Sequence, residues 1–437
     1  MGLLKSGQLD EAQSSICKAL EDEPDNVNYL LLAGNINTAA NRFGFASTIY
    51  HRILQLNPEY AAGWNNLGHC YHALQRFDEA AQCFAKSLHY QGDHFDPYNN
   101  MLLINVVMGN PDKALEIYPI AKWLADDDGK MKDLKSNIAL ALLKKRMWKP
   151  GWEAFDSMLS KVKQRKELFY GDAPYWDGRG GQCVVAYGEQ GIGDEIMGAS
   201  MIPDLSEDCS VIIDCDNRLE GLFKRSFPDC TVYGTRFQKT EKEWLANHRV
   251  DARVAVLSLG RWYRQRDEDF PREPYLKACP VRRDMYRHLL SQYPGRKMGL
   301  AWTGGLKNTN KADRSLTLEQ LQPLLSIPGI TWVNLEYKGG DPGHGIKHFP
   351  WITQTNDYDD TAALVAELDG VVSVTTAVAL LAGAIGQQCH VLVPEHPTWH
   401  WLESGEMPWF PLKLHRRVGN DWTSLIDSLA EELRGTT

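Results

Sequence analysis

A period of 34 residues constrains the first third of this chain more tightly than any other feature. Gly34 and Gly68 stand one period apart, and the residues around them recur in step. Trp64, Leu67, Gly68, Tyr71, Ala80 and Phe84 form one unit. Leu30, Ala33, Gly34, Ala46, Tyr50 and Pro58 form the unit before it, and Tyr98, Ala114 and Tyr118 mark the one after. Such a period specifies stacked helix pairs, because one pair alone cannot bury its apolar face. Small residues let the two helices of a unit approach, an aromatic ring fills the gap, and the proline ends the second helix.

The unit reads W-x2-L-G-x2-Y followed by A-x3-F, which is the tetratricopeptide pattern. Ala12, Ala19 and Pro24 fit the second half of an earlier repeat, so the chain is expected to begin inside an array. A degenerate fourth unit is expected over Lys132 to Leu159, with Trp148 and Trp152 in its turn. Arrays of this kind bind peptides, self-associate or extend a fold. His69, His72 and His89 read as surface or groove residues of these helices, not as metal ligands. Met1-Gly2-Leu3-Leu4-Lys5-Ser6 matches a short acylation pattern but reads better as part of a repeat.

With 437 residues the chain exceeds one ordinary core, and two or three domains are expected. Apolar content of 43% and charged content of 24% are those of a globular protein in water. The net charge of −9 argues against nucleic acid as a partner, and the basic pairs Arg282-Arg283 and Arg416-Arg417 read as solvated surface. Nine cysteines without a Cys-x-x-Cys pair suggest reduced thiols in the cytoplasm and no metal site. The apolar stretches fall short of a membrane span.

Near Pro174 the sequence changes character. Strands are expected at Cys183–Tyr187, Ser210–Asp214, Thr231–Tyr233, Ala252–Leu257, Lys297–Trp302, Thr331–Leu335, Gly370–Val374 and His390–Val393. Helical stretches such as Leu219–Ser226, Leu318–Leu325 and Thr361–Leu368 alternate with them, which indicates parallel sheets covered by helices. The run divides near Tyr293-Pro294-Gly295-Arg296. The expected domains are therefore the array over 1–165, a first α/β unit over 166–295 and a second over 296–437. Two such units create a cleft between the loops at their strand carboxyl ends. The last helix, Trp422 to Leu433, has apolar residues at helical spacing and could pack back across their boundary.

Three junctions could carry chemistry. The loop Gly188-Glu189-Gln190-Gly191-Ile192-Gly193-Asp194 follows a strand, opens a helix and places a carboxylate where that helix begins. Asp194 there can cap the helix or act as a base. At Ser373-Val374-Thr375-Thr376-Ala377, hydroxyls and free backbone amides at a helix start suit a phosphate. Trp302-Thr303-Gly304-Gly305 leads to Lys311 and Arg314, either of which could neutralise a diphosphate leaving group. Glu336, at a strand end, could accept from ribose hydroxyls or face solvent. Trp399, Trp401, Trp409 and Trp422 concentrate indoles that stack on a sugar or base, or belong to the core. No G-x-G-x-x-G follows the first strand, which disfavours a dinucleotide oxidoreductase.

The order of several segments carries a resemblance. These are Pro174–Gly178, Glu189-Gln190-Gly191-Ile192-Gly193-Asp194, Ala301-Trp302-Thr303-Gly304, Asp313-Arg314-Ser315-Leu316, Asp360-Thr361-Ala362-Ala363-Leu364, Ala377-Val378-Ala379 and Pro408-Trp409-Phe410-Pro411. Over nearly its whole length the chain resembles bacterial tetratricopeptide proteins that carry a glycosyltransferase family 9-like, heptosyltransferase-related domain. The resemblance implies an α plus α/β chain: a tetratricopeptide-repeat array, then two Rossmann-like domains of GT-B type, the acceptor side first. It implies inverting, metal-independent transfer of a hexosyl or heptosyl group from a nucleotide-sugar co-substrate, without a bound cofactor. The acceptor would be a glycan, a lipid-linked precursor or a protein, in the cytoplasm or at a membrane periphery.

On that resemblance Asp194 is the base, in an acceptor loop with Glu189, Gln190, Gly191 and Gly193. The donor side takes Thr303, Gly304, Lys311, Arg314, Glu336, Thr375, Thr376 and Ala377. Three positions depart from the pattern. The family's Asp and His in Asp-Thr-Ala-x-x-His are Thr375 and Leu380 here, and an Arg between two late tryptophans is His400. The alternative expectation is a non-catalytic repeat scaffold with a degenerate GT-B domain.

Overall fold

The computed structural model describes residues 9–159, 165–238, 242–305, 313–419 and 421–435. The chain forms two compact units, Met1–Lys145 and Arg146–Thr437. The first is a tetratricopeptide-like helical array and the second a parallel-sheet α/β region.

The array is built from Leu9–Asp22, then the pairs Val27–Ala39 with Phe43–Leu56, Ala61–Ala73 with Phe77–Tyr90, and Pro111–Leu124 after Phe95–Val107, and finally Asp128–Lys144. The packing explains the pattern. A Cβ on Gly34 would lie 2.6 Å from the Tyr50 ring, and one on Gly68 would lie 2.6 Å from the Phe84 ring. Each glycine therefore lets the aromatic of the second helix lie flat against the first. Ala46, Ala80 and Ala114 are all fully buried at the equivalent place in the second helices.

The turns repeat as faithfully as the helices. Asn41, Gln75 and Gly109 each end a first helix in the left-handed region, at φ of 58°, 62° and 76°. The next residue's N–H then reaches back to a carbonyl of the closing turn: Arg42 to Asn37, Arg76 to Tyr71 and Asn110 to Asn105. That geometry satisfies carbonyls a helix end would otherwise leave unpaired. Between successive first helices, asparagine amides form rungs: Asn66 donates to Asn35 at 3.3 Å, Asn100 to Asn65 at 3.0 Å and Asn137 to Asn99 at 3.0 Å.

The second unit begins earlier than residue 165. The helix Trp148–Phe155, expected in the repeats, counts with the α/β region. Its indoles explain why. Trp152 is 1% exposed, lies edge-on to Trp399 and Trp409, covers Gly260 and donates to the Arg264 carbonyl at 2.8 Å. Trp148 packs on Phe270 and Trp409 and donates to Asp267.

Two parallel sheets follow. β1 (Cys183–Tyr187), β2 (Ser210–Asp214), β3 (Thr231–Tyr233) and β4 (Ala252–Ala255) form a sheet in the order β3-β2-β1-β4. β5 (Arg296–Ala301), β6 (Ile330–Asn334), β7 (Gly370–Val374), β8 (Cys389–Val393) and β9 (Lys413–Arg416) form the order β6-β5-β7-β8-β9. Four expected strands, β1, β2, β3 and β7, have the bounds read from the sequence. β9 was not expected, because Lys-Leu-His-Arg at a sheet edge lacks the β-branched alternation that marks a strand. The expected helix Leu318–Leu325 shrinks to Gln322–Leu325.

The last helix, Thr423–Gly435, packs on the second sheet and does not cross back to the first. Ile426, Leu429, Ala430 and Leu433 join Met298, Leu300, Leu324 and Trp332 in one core. The four late tryptophans are likewise buried, at 6% exposure or less. The basic pairs are also less solvated than expected. Arg417 is buried and paired with Asp313, Arg416 holds the carbonyls of Trp401 and Leu402, and Arg282 bridges Asp357 and Asp360.

Candidate functional site

The first glycine loop leaves β1 at Tyr187 and enters the helix Ile192–Gly198. Asp194 is its third residue, and its carboxylate accepts from the Gly191 N–H at 3.1 Å. The cap reading of Asp194 is therefore realised. The same side chain is half-buried, and its proton affinity is raised by burial while the charges of Arg236 and Arg314 pull it down. Both roles open to Asp194 are compatible with one position.

The rest of the loop divides. Glu189, expected to face an acceptor, is 4% exposed and turned inward onto Arg165, whose guanidinium also reaches Ser258 and the Phe155 carbonyl. Gln190 offers its carbonyl to Arg236 at 2.6 Å. Gly191 is exposed. Gly193 faces the other sheet's helix, where a Cβ would lie 3.0 Å from Leu380 Cδ1 and 3.3 Å from Ala377 Cα. The two helix starts expected to flank a ligand thus touch at Gly193.

On the donor side the parts also diverge. Glu336 does not face solvent. It is 7% exposed, accepts from the N–H groups of Trp302 and Thr303 at 2.7 Å each, and binds the Thr303 hydroxyl. Thr303 and Glu336 together shape the loop after β5. Gly304 donates to Ser315, and a Cβ there would lie 2.7 Å from the Arg314 carbonyl, so glycine is what allows that approach. Lys311 lies outside the described residues.

Arg314 connects the pieces. Its guanidinium donates to the Thr375 hydroxyl at 3.1 Å and to the Thr375 carbonyl, and its charge acts on Asp194 and His400. Thr375 is 2% exposed and therefore anchors Arg314. Thr376 precedes the helix Ala377–Ile385, with its hydroxyl 2.9 Å from that of Ser373. His400 is 8% exposed, and its Nδ1 has no hydrogen-bond partner among the described residues. Burial, reinforced by Arg314, pushes the His400 imidazole down to about 3, so it is neutral. Leu380 is buried against Gly193.

Beneath the first loop lies an ionic network that the sequence reading did not single out. Glu195 accepts from the Asp216 N–H at 2.9 Å and pairs with Arg236 at 3.3 Å, while Asp216 holds Arg218 with both oxygens. Gly188 is squeezed against it, since a Cβ would lie 2.1 Å from Glu195 Oε1. Asp214 holds Tyr170, Thr235 and Lys242 nearby. The available signal was the pair Asp214 and Asp216 at the carboxyl end of β2, where an α/β sheet gathers its loops.

Burial pushes the Glu195 carboxyl up to about 8, against the pull of Arg236. A carboxyl that holds its proton more tightly in the folded state contributes stability present below the unfolded value of 4.5, and that contribution is lost as pH rises toward about 8. Urea midpoints should therefore fall between about pH 5 and about pH 8, and Glu195→Gln should flatten that fall. Parallel profiles for the two proteins would refute the assignment.

The fold and this junction define a tetratricopeptide-repeat chain joined to a parallel-sheet α/β region. The tetratricopeptide repeat family model matches residues 61–94. The chain is similar to Protein FlbA of Caulobacter vibrioides, at 29% identity over an alignment of 401 positions that covers 85% of this chain. It spans 66% of FlbA's length. It is also 25% identical over 169 residues to the tetratricopeptide repeat-containing protein trd-1 of Caenorhabditis elegans, covering 38% of this chain and 21% of that protein. Among solved structures, MamA matches 36% of this chain and 90% of its own at 20% identity, with a TM-score of 0.32. YrrB, described as a TPR protein with an unusual peptide-binding site, matches 33% of this chain and 74% of its own at 20% identity, with a TM-score of 0.30.

Proposed function

We propose that the chain is a glycosyltransferase with a GT-B arrangement of two Rossmann-like domains, transferring a sugar from a nucleotide-sugar donor. One observation carries this reading: Asp194, Arg314 and the helix start at Thr376-Ala377 come together where the carboxyl ends of the two parallel sheets meet. In the reaction, Asp194 takes the proton of an acceptor hydroxyl, whose oxygen bonds to the anomeric carbon with inversion. The bond from that carbon to the diphosphate oxygen breaks, and the electron pair leaves on the diphosphate. Arg314 and the amides opening the Ala377 helix stabilise the departing charge. The donor reaches that helix start when the two sheets part at Gly193 and Leu380.

The asparagine rungs of the array favour a polypeptide among the expected acceptors. A side-chain amide carries two donor hydrogens and a carbonyl with two lone pairs, so a rung bond leaves hydrogen-bonding capacity that matches an extended backbone.

The second reading, a non-catalytic scaffold, is favoured by Leu380, which puts an apolar contact where the family places an imidazole. A panel of nucleotide sugars separates the two. The enzyme reading expects one donor to raise the melting temperature and to be hydrolysed slowly in the absence of acceptor. Neither effect from any donor would leave the scaffold reading.

A further inference from the structure

Away from this junction, three side chains that ligate transition metals converge on the outer edge of the second sheet. β8 and β9 run parallel with His390 opposite Lys413 and Leu392 opposite His415. His390 and His415 are thus two positions out of step and share one face of the sheet. The helix Thr423–Gly435 lies over that face and brings down Glu432. His390 Nδ1 and His415 Nε2 are 2.9 Å apart, and each lies 4.0 Å from a carboxylate oxygen of Glu432.

We propose that His390, His415 and Glu432 form a binding site for a divalent transition-metal ion such as zinc, nickel or copper. The chemistry of the set fits. Two imidazoles and one carboxylate are ligands these ions accept, and three protein ligands leave positions for water. The spacing of the two rings fits as well, and Glu432, 4.0 Å from each ring nitrogen, has to close in to join them. With metal–nitrogen bonds of about 2.0–2.1 Å, two nitrogens stand about 2.9 Å apart at a right angle and about 3.4 Å apart at a tetrahedral angle. The observed separation already matches the first and needs a small opening for the second. The ligand atoms of all three groups lie within 4.8 Å of one another.

Burial pushes both imidazoles down, His390 to about 4, so each ring is neutral near neutral pH. The hydrogen bond between His390 Nδ1 and His415 Nε2 places one proton between the facing nitrogens, and that proton moves to the ring's far nitrogen as the ion enters. Two cations oppose the ion. Lys413 Nζ sits 3.1 Å from Glu432 Oε1, and Arg296 adds positive charge near His390. Lys413 is 61% exposed on its side chain and can swing into solvent, which removes its charge from the carboxylate as the ion enters. A metal held this way ties the last helix to the sheet edge.

Calorimetric titration of the full chain with zinc, nickel and copper salts tests the site. One equivalent should bind with micromolar affinity and raise the melting temperature. His415→Ala, at the more exposed of the two rings, should weaken binding by more than about tenfold, since even partners outside the ligand shell are worth that much. Glu432→Gln should weaken it too, and Lys413→Ala should tighten it by removing the competing cation. No binding by any of the three ions, or full affinity in His415→Ala, would overturn the proposal.

Discussion

Asp194→Asn is expected to lower donor turnover by about 10²- to 10⁴-fold, the usual worth of a positioned general base. The fold should barely notice. Asp194 accepts the Gly191 N–H, and an asparagine carbonyl can accept the same hydrogen. Losing such a cap altogether costs about 0.5–2 kcal/mol, so retaining an acceptor should keep the loss below about 1 kcal/mol. Asp194→Ala, which removes acceptor and base together, should show both losses. The measurements are turnover of the donor found in the nucleotide-sugar panel and a denaturation curve for each protein. An asparagine variant that turns over at the wild-type rate would remove Asp194 from the chemistry.

Trp152→Ala should be the most damaging of the structural changes. Emptying a buried tryptophan site costs about 3–5 kcal/mol. This one also leaves the Arg264 carbonyl without its donor in a buried place, a further cost of about 1–3 kcal/mol. Trp399, Trp409, Phe155 and Gly260 all lose their contact with it. The loss should fall on the α/β region, because every one of those partners lies after Arg146. Tryptophan fluorescence should therefore report an earlier transition, while the helical signal of residues 9–144 persists to higher temperature. A drop under about 1 kcal/mol would mean that the indole cluster is not the core it resembles.

The sequence revealed the features that arise from local pattern. The helix pairs follow from Gly34 and Gly68 meeting the rings of Tyr50 and Phe84, and that spacing is written in the period. The strands β1, β2, β3 and β7 are short β-branched runs with punctuated ends, and their bounds were legible for that reason. What depended on long-range contact was not. Trp148 and Trp152 stand at repeat spacing but are claimed by Phe270, Trp399 and Trp409, which lie far along the chain. Glu336 ends a strand as a ligand-facing residue would, yet the loop after β5 takes both its oxygens. The link from Glu195 to Arg236 depends on how three loops fold over one another, and no spacing encodes it. At the candidate site, the two helix starts and Arg314 were legible as loop-to-helix junctions and a basic residue after a glycine loop. That Thr375 would anchor Arg314, and that Leu380 would close on Gly193, required the fold.

The turn residues of the array have a consequence for how firmly it is built. Asn41, Gln75, Gly109 and Arg146 occupy one left-handed place after successive first helices, and glycine fills it only in the third. A side chain in that conformation costs roughly 1–2 kcal/mol, less for asparagine, which tolerates it. Three of these four corners, at Asn41, Gln75 and Arg146, thus carry that cost, set against the burial of Tyr50 and Phe84 near the first two. At those corners the backbone works against the helices it joins, and glycine in place of Gln75 would relieve the cost without touching the core.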